Sequence, residues 1–469
     1  MAAFAHWSCR ARTIQGRRVL ATSVILSTLW YMTAVTVIPA VYVKVWQRML
    51  NNYVVGAKTS ITDKYQPPIH KMWLHDRQLG LGVPCIASTI RGQRLRLLQR
   101  LMAATTSNEP RVWSSLVLAQ FESCMQTAWR TTQPFDFLCY TPQIASAWLN
   151  LDALHPLWLD VWRAWSHVPM KDRMPLLPDL PTTLSMPLWL TTYHEFVQPS
   201  NKTVSSLASG STPARLWCQL GVSNGLRCLR DFMHANVPGY WPDFRAFHNI
   251  MSSGYRGATV SLQHGQICFD TVPYTKSVYD HLTQVYDAVR TRLSIRRDVS
   301  LTSVPTAAHP FRAVIKNQLL LFERWPRGIV AAMAQHSPIP TAPHPTHTPE
   351  RPGHDAAKTY TRLLKRCLRW TTPVHCDVWF RATLIMLPVN SRYKHRPDVD
   401  RAVLQCSHGC SADETIEPAL HACPKASALW TLHQTAWSCF GIGFSWLCIT
   451  NIDGFTTNGR GAPHMSALF

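Results

Sequence analysis

Two cysteines, Cys406 and Cys410, lie close together and are followed by a histidine and cysteine pair, His421 and Cys423. Thiolate and imidazole are the donors that a structural zinc ion takes, four at a time in a tetrahedral array. The competing reading makes these cysteines buried small apolar residues. A second constellation is cationic. Arg362, Lys365, Arg366 and Arg369 fall at i, i+3, i+4 and i+7, one ridge of a helix whose other side carries Leu363, Leu364, Cys367, Leu368 and Trp370. Like charges on one ridge repel unless a polyanion compensates them. The ridge reads as a solvated face or as a phosphate track, and its place beside the cysteine block favours the track.

The elements that must position these residues are helical. Residues 89–102 predict a helix with Leu95, Leu98, Leu101 and Met102 on one face and Arg96 and Arg100 projecting away from it. Trp113, Trp129, Trp148, Trp158, Trp162 and Trp165 recur at largely helical spacing, which reads as core packing in preference to base stacking. The expected fold is mainly α, with helical bundles over 10–55 and 88–165 and short hairpins at most near the Cys406 and Cys410 turn. Five regions follow: a helical region over 1–165, a loop-rich helical connector over 166–335, and a Pro/His linker over 336–357. A basic helix with the cysteine module over 358–448 and a flexible tail over 449–469 complete the chain.

Composition points to a polyanion. Lys and Arg number 47 against 26 Asp and Glu, a formal charge of +21, yet charged residues are only 16% of the chain and 19 tryptophans are present. Such a chain folds, and its excess cations are suited to phosphates. The 14 cysteines lack the dense, regular spacing of a secreted disulfide scaffold, which argues for a reducing compartment. Residues 19–43 carry no charge and follow Arg17 and Arg18, the look of a transmembrane helix with its positive flank inside. Thr22, Ser23, Ser27, Thr28, Thr33, Thr36 and Pro39 interrupt that run, and a buried helix of a large soluble protein reads the same way.

The cysteine block extends into a longer pattern: Trp379, Phe380 and Arg381, then Leu387 and Pro388, Cys406 and Cys410, Glu414, Thr415, Ile416 and Glu417, Cys423 and Trp430. This pattern resembles the reverse-transcriptase zinc-binding module at the C-terminal end of non-LTR, LINE-type retrotransposon proteins. Nearer the start, Arg10 to Arg12, Val24 to Ser27, Leu29 to Tyr31, Ile38 and Pro39, Trp46 and Gln47, and Asn51 to Tyr53 are similar to the thumb-like region after that family's polymerase palm. Leu79 to Gly82 resembles its Gly-Leu-Gly turn, and Leu216, Trp217, Leu229 and Asp231 continue the likeness more sparsely. The resemblance implies a soluble protein and a thumb-like role for residues 1–165. It also implies a zinc site, with one departure: the family's histidine position is Pro418, which has no side-chain donor. His421 as substitute gives the set Cys406, Cys410, His421 and Cys423, and His408 is the other candidate imidazole.

The family's polymerase holds two metal ions on paired aspartates. No Asp-Asp dipeptide occurs in this chain, nor does a Walker loop, a Gly-x-Ser-x-Gly elbow or a His-Glu-x-x-His helix. Glu195, Asp270 and Glu323 stand alone, so no catalytic residue is assigned. The expectation is a non-catalytic, intracellular fragment, nuclear or cytoplasmic, binding RNA or DNA through Arg362, Lys365, Arg366, Arg369, Arg96 and Arg100. A basic protein anchored in a membrane by residues 19–43 is the alternative, and a relic without selected activity is the third reading.

Overall fold

The computed structural model describes residues 13–55, 74–76, 80–107, 111–129, 135–142, 149–176, 179–185, 221, 225–235, 240–252, 259–262, 265–268, 272–292, 311–335, 358, 361–362, 365–366, 369, 371–387, 389–394, 400–438, 442–443 and 456–457. They are mainly helical, as expected. The linker over 336–357, most of the tail, Glu195, Asp270, Pro388 and the side chains of Trp129 and Trp148 lie outside the described residues. The chain forms two compact units: Met1–Met32, Ile38–Ile86 and Ser337–Phe469 make one, and Thr33–Val37 with Ala87–His336 make the other. Helical regions near the start and the cysteine module thus share a unit.

In the first unit, helix α1 (Ile14–Val35) opens at Thr13, whose hydroxyl accepts from the Gly16 N–H at 3.0 Å. The Ile14 N–H donates to Asp377 Oδ1 at 2.6 Å, across 363 residues of sequence. Two of the helix's orphan donors are thereby satisfied. Asp377 is oriented by Arg381 Nε at 2.7 Å, one turn along helix α11 (Pro373–Thr383). Thr22, Ser23 and Ser27 donate their hydroxyls to carbonyls of the preceding turn, where α1 widens into a π turn over Ala21–Ile25. The apolar run over 19–43 is not one helix. It breaks over 36–39, because the residue before Pro39 is driven out of helical backbone.

Helix α2 (Ala40–Val55) then buries Met49, Leu50, Tyr53 and Val54. Its Gln47 accepts from the Ile86 N–H at 2.6 Å and donates to the Pro84 carbonyl at 3.0 Å, capping the start of helix α3 (Ile86–Thr106).

In the second unit α3 buries Leu95, Leu98, Leu101 and Met102, the face that the spacing predicts. It packs in one core with helix α4 (Val112–Trp129) and helix α5 (Pro156–Ser166). Trp162 and Trp165 of α5 are fully buried, and their indole N–H groups donate to the Tyr140 and Leu138 carbonyls at 3.1 and 2.9 Å. Trp165 meets Phe311 and Phe322 edge-on, and Trp158 is also buried. These three are core residues, as the spacing indicated. Trp113 stays partly exposed, stacked on Trp158.

Short helices α6 (Leu180–Ser185), α7 (Leu229–Ala235) and α8 (Phe244–Ser252) precede the longer α9 (Val272–Arg292). Two antiparallel hairpins interleave with them, β1 (Thr259–Leu262) with β2 (Gly265–Cys268) and β3 (Arg312–Ile315) with β4 (Gln318–Leu321). Hairpins were expected only near Cys406. Each of these strands has four residues, too few for alternation to register, and the β3–β4 turn sets Lys316 and Asn317 at positive φ, the backbone of a tight two-residue hairpin loop. Helix α10 (Arg327–Ala334) closes the unit.

Arg94 is 1% exposed. Its guanidinium donates to the Thr33 and Thr36 carbonyls, each at 2.7 Å, and pairs with Asp160 of α5 at 2.6 Å. Arg94→Ala should therefore destabilise this unit by about 3 kcal/mol, since removing one partner of a buried pair strands the other groups. The checks are a lower denaturant midpoint and faster amide exchange in α3. A loss below about 1 kcal/mol would class the pair with surface ion pairs.

Candidate metal centre and basic surfaces

Cys406 and Cys410 sit on a tight turn between residues that pair as an antiparallel bridge, Gln405 with Asp413. The Cys406 N–H donates to the Ala412 carbonyl at 2.9 Å, and its own carbonyl accepts from the Gly409 N–H at 2.9 Å. Gly409 has φ +83, a left-handed conformation that glycine adopts without strain. From there the chain passes through a π turn, Pro418–Ala422, and enters helix α12 (Pro424–Ser438) at Cys423. The indole N–H of Trp430 on α12 donates back to the Leu420 carbonyl at 2.6 Å and fixes that turn. Ile442–Gly443 and Thr456–Thr457, strands β5 and β6, pair beyond it.

The three sulfur atoms of Cys406, Cys410 and Cys423 converge, all lying within 4.8 Å of one another. Thiolates at about 2.3 Å from a tetrahedral zinc stand roughly 3.8 Å apart, so this cluster fits the ion with little adjustment. Cys406 and Cys423 are buried. Burial opposes ionisation of Cys423, but the N–H groups of Ala426 and Lys425 at the start of α12, with hydrogen bonds from Cys406 and Cys410, hold its pKa below the ordinary thiol value. Its hydrogen bond with Cys406, reinforced by burial, pushes Cys410 up. Cys423 thus ionises more readily than Cys410, and metal binding there would release thiol protons.

His421 does not join the cluster. It is half-buried on the π turn, outside the group of converging ligand atoms, and exposed His408 is outside it too. The histidine and cysteine straddle one residue of a π turn, which separates their side chains.

Glu414 holds the arrangement. This buried carboxylate accepts from the Ser407 N–H at 2.7 Å and from the Asn390 N–H at 3.4 Å, and its own carbonyl accepts from the Ser391 N–H at 3.0 Å. Ser407 N–H, burial notwithstanding, is the main reason its pKa lies below the ordinary carboxylate value, with Asn390 and His408 adding to it. Glu414 thereby ties the cysteine turn to the segment after Met386, which is buried with Leu384 and Phe380. The sequence marks Glu414 only as part of a pattern, and its role as a positioning residue comes from these contacts.

The basic residues divide. Arg362, Arg366 and Arg369 are exposed, whereas Lys365 is half-buried with its ammonium 3.5 Å from the Gly80 carbonyl. Burial first, and Arg18 second, lower the Lys365 pKa. In the second unit Arg100 is exposed and Arg96 half-buried. Comparison with protein-family models, with curated proteins and with solved structures found no significant match.

Glu414→Gln keeps the shape of the side chain and removes the charge that both N–H groups favour. Zinc affinity measured by chelator competition should fall about tenfold or more, as for other residues that orient ligands. Unchanged affinity would leave Glu414 without a part in the site.

Proposed function

We propose that this chain is a non-catalytic nucleic-acid-binding protein whose C-terminal module folds around one zinc ion, a fragment related to the C-terminal part of LINE-type retrotransposon proteins. One observation carries the reading: cysteines at 406, 410 and 423, which the pattern singles out, meet at zinc-binding distance with a helix N-terminus behind one of them. Cys406, Cys410 and Cys423 would hold the ion, and His421 or solvent would complete its shell. The metal would supply folding energy to a short segment with a small core, as structural zinc does. The charge of +21 and the exposed arginines at 362, 366 and 369 support a polyanionic partner, RNA or DNA.

A second reading has its own support. Helix α1 is long and apolar enough to cross a membrane by length and composition, and it leaves Val19, Tyr31 and Met32 exposed. On that reading the chain is membrane-anchored and stays in the pellet on carbonate extraction, whereas the first reading releases it.

The purified protein should hold about one zinc equivalent by elemental analysis, and chelation should unfold residues 376–430 while sparing the second unit. Cys406→Ser with Cys423→Ser should abolish binding, and retention of full zinc content would place the metal elsewhere. Pro418→His should tighten binding by adding an imidazole; if it does not while His421→Ala lowers zinc content, His421 is the fourth ligand.

Oligonucleotide affinity should fall steeply with salt. Replacing Arg362, Arg366 and Arg369 with Gln should reduce the slope of log K against log salt by about 2 to 3, at 0.7 to 0.9 per phosphate, with a smaller change for Lys365→Gln. An unchanged slope in a folded variant would return the ridge to a solvated face.

A further inference from the structure

Within the second unit, hydrogen bonds from α3 hold both the segment leading into α10 and the C-terminal end of α10. Gln99 Nε2 donates to the Phe322 and Trp325 carbonyls at 2.8 and 3.1 Å. At the other end Arg91 donates to the Ala334 carbonyl at 3.2 Å, and Gly92 is where the helices approach closely, since a Cβ there would stand 3.5 Å from that of Ala334. Arg327 begins α10 between these two anchors, two residues beyond Trp325. It is therefore set beside Arg96 and Arg100, which share one face of α3 at i and i+4. The electrostatics agree: burial and then the charges of Arg327 and Arg100 lower the Arg96 pKa.

Three guanidinium groups are thus gathered from segments more than 200 residues apart in sequence. Among the described residues none of them forms an ion pair, and the bond that Arg96 makes is to the Gly92 carbonyl of its own helix at 3.2 Å. Arg100 and Arg327 are exposed, and the space above Gly328 is open. Like charges brought together without an acid lose free energy that an anion restores, and guanidinium forks match phosphate oxygens. Gln99, the amide between the two arginines of α3, has its Nε2 donor committed to the Phe322 and Trp325 carbonyls and so has no N–H left to offer a base edge.

We propose that Arg96, Arg100 and Arg327 form a binding site for the phosphodiester backbone of a polynucleotide, without base readout. The proposal rests on the nucleic-acid reading above and adds a site on the unit that lacks the cysteine module.

The test is titration of the full-length protein with a labelled single-stranded oligonucleotide of about 20 nucleotides over a range of salt. Arg96→Gln, Arg100→Gln and Arg327→Gln together should lower the salt slope by about 2 to 3, Arg327→Gln alone by nearly one, and Arg327→Lys by much less. Thermal midpoints of the free variants should stay level or rise, because mutual repulsion is removed. Should the triple variant melt early, Arg100→Gln with Arg327→Gln, both at exposed positions, decides by the same criterion. An unchanged slope with wild-type binding intact overturns this site and leaves the nucleic-acid reading standing. Absence of oligonucleotide binding by the wild type at low salt overturns both, as does binding to phosphatidylserine vesicles in its place.

Discussion

The second unit is organised by the need to satisfy one buried cation. A guanidinium at Arg94 removed from water costs several kcal/mol unless its donors are matched, and here they meet the Thr33, Ala34 and Thr36 carbonyls and the Asp160 carboxylate. The Thr33 and Ala34 carbonyls lie in the last turn of α1, the part of that helix belonging to this unit, and are acceptors that a helix end leaves without intrahelical partners. Arg94 thus answers two desolvation problems with one group. Its planar fork fixes direction as well as charge, which a lysine would not. With Arg94 turned one way, Leu95, Leu98, Leu101 and Met102 are turned the other, into the core that Trp162 and Trp165 complete.

The cysteine module solves a smaller version of the same problem. Its segment is too short for a deep apolar core, so its order comes from polar contacts: Glu414 on two backbone N–H groups, Trp430 on the Leu420 carbonyl, and the thiols on each other. The helix N-terminus beside Cys423 favours its thiolate form, the form that binds metal. The half-buried His421 lies apart from them because the π turn that delivers Cys423 carries the imidazole elsewhere.

Much of this was legible in the residues. The buried face of α3, the tryptophan core of α5 and the convergence of Cys406, Cys410 and Cys423 follow from helical spacing and from local clustering of soft donors. The hairpins at 259–268 and 312–321 were not legible, since four-residue strands carry too little alternation. Compactness depends on partners such as Ile14 and Asp377, 363 residues apart, which no local pattern links. Arg94 and Arg96, two residues apart on α3, show the limit most clearly. One is wholly buried and the other half-exposed, and composition treats them alike.

Periodicity, charge and ligand chemistry act between near neighbours or over the whole chain, so the sequence by itself determined a mainly helical, strongly basic protein with a three-cysteine cluster near one end. Tertiary structure alone decided which cations are buried, which acids and carbonyls they answer, and that Arg327 stands beside Arg96 and Arg100. Those outcomes depend on contacts between segments hundreds of residues apart. Desolvation is local and salt screens charges beyond about 10 Å, so only the folded chain sets the distances over which these effects act.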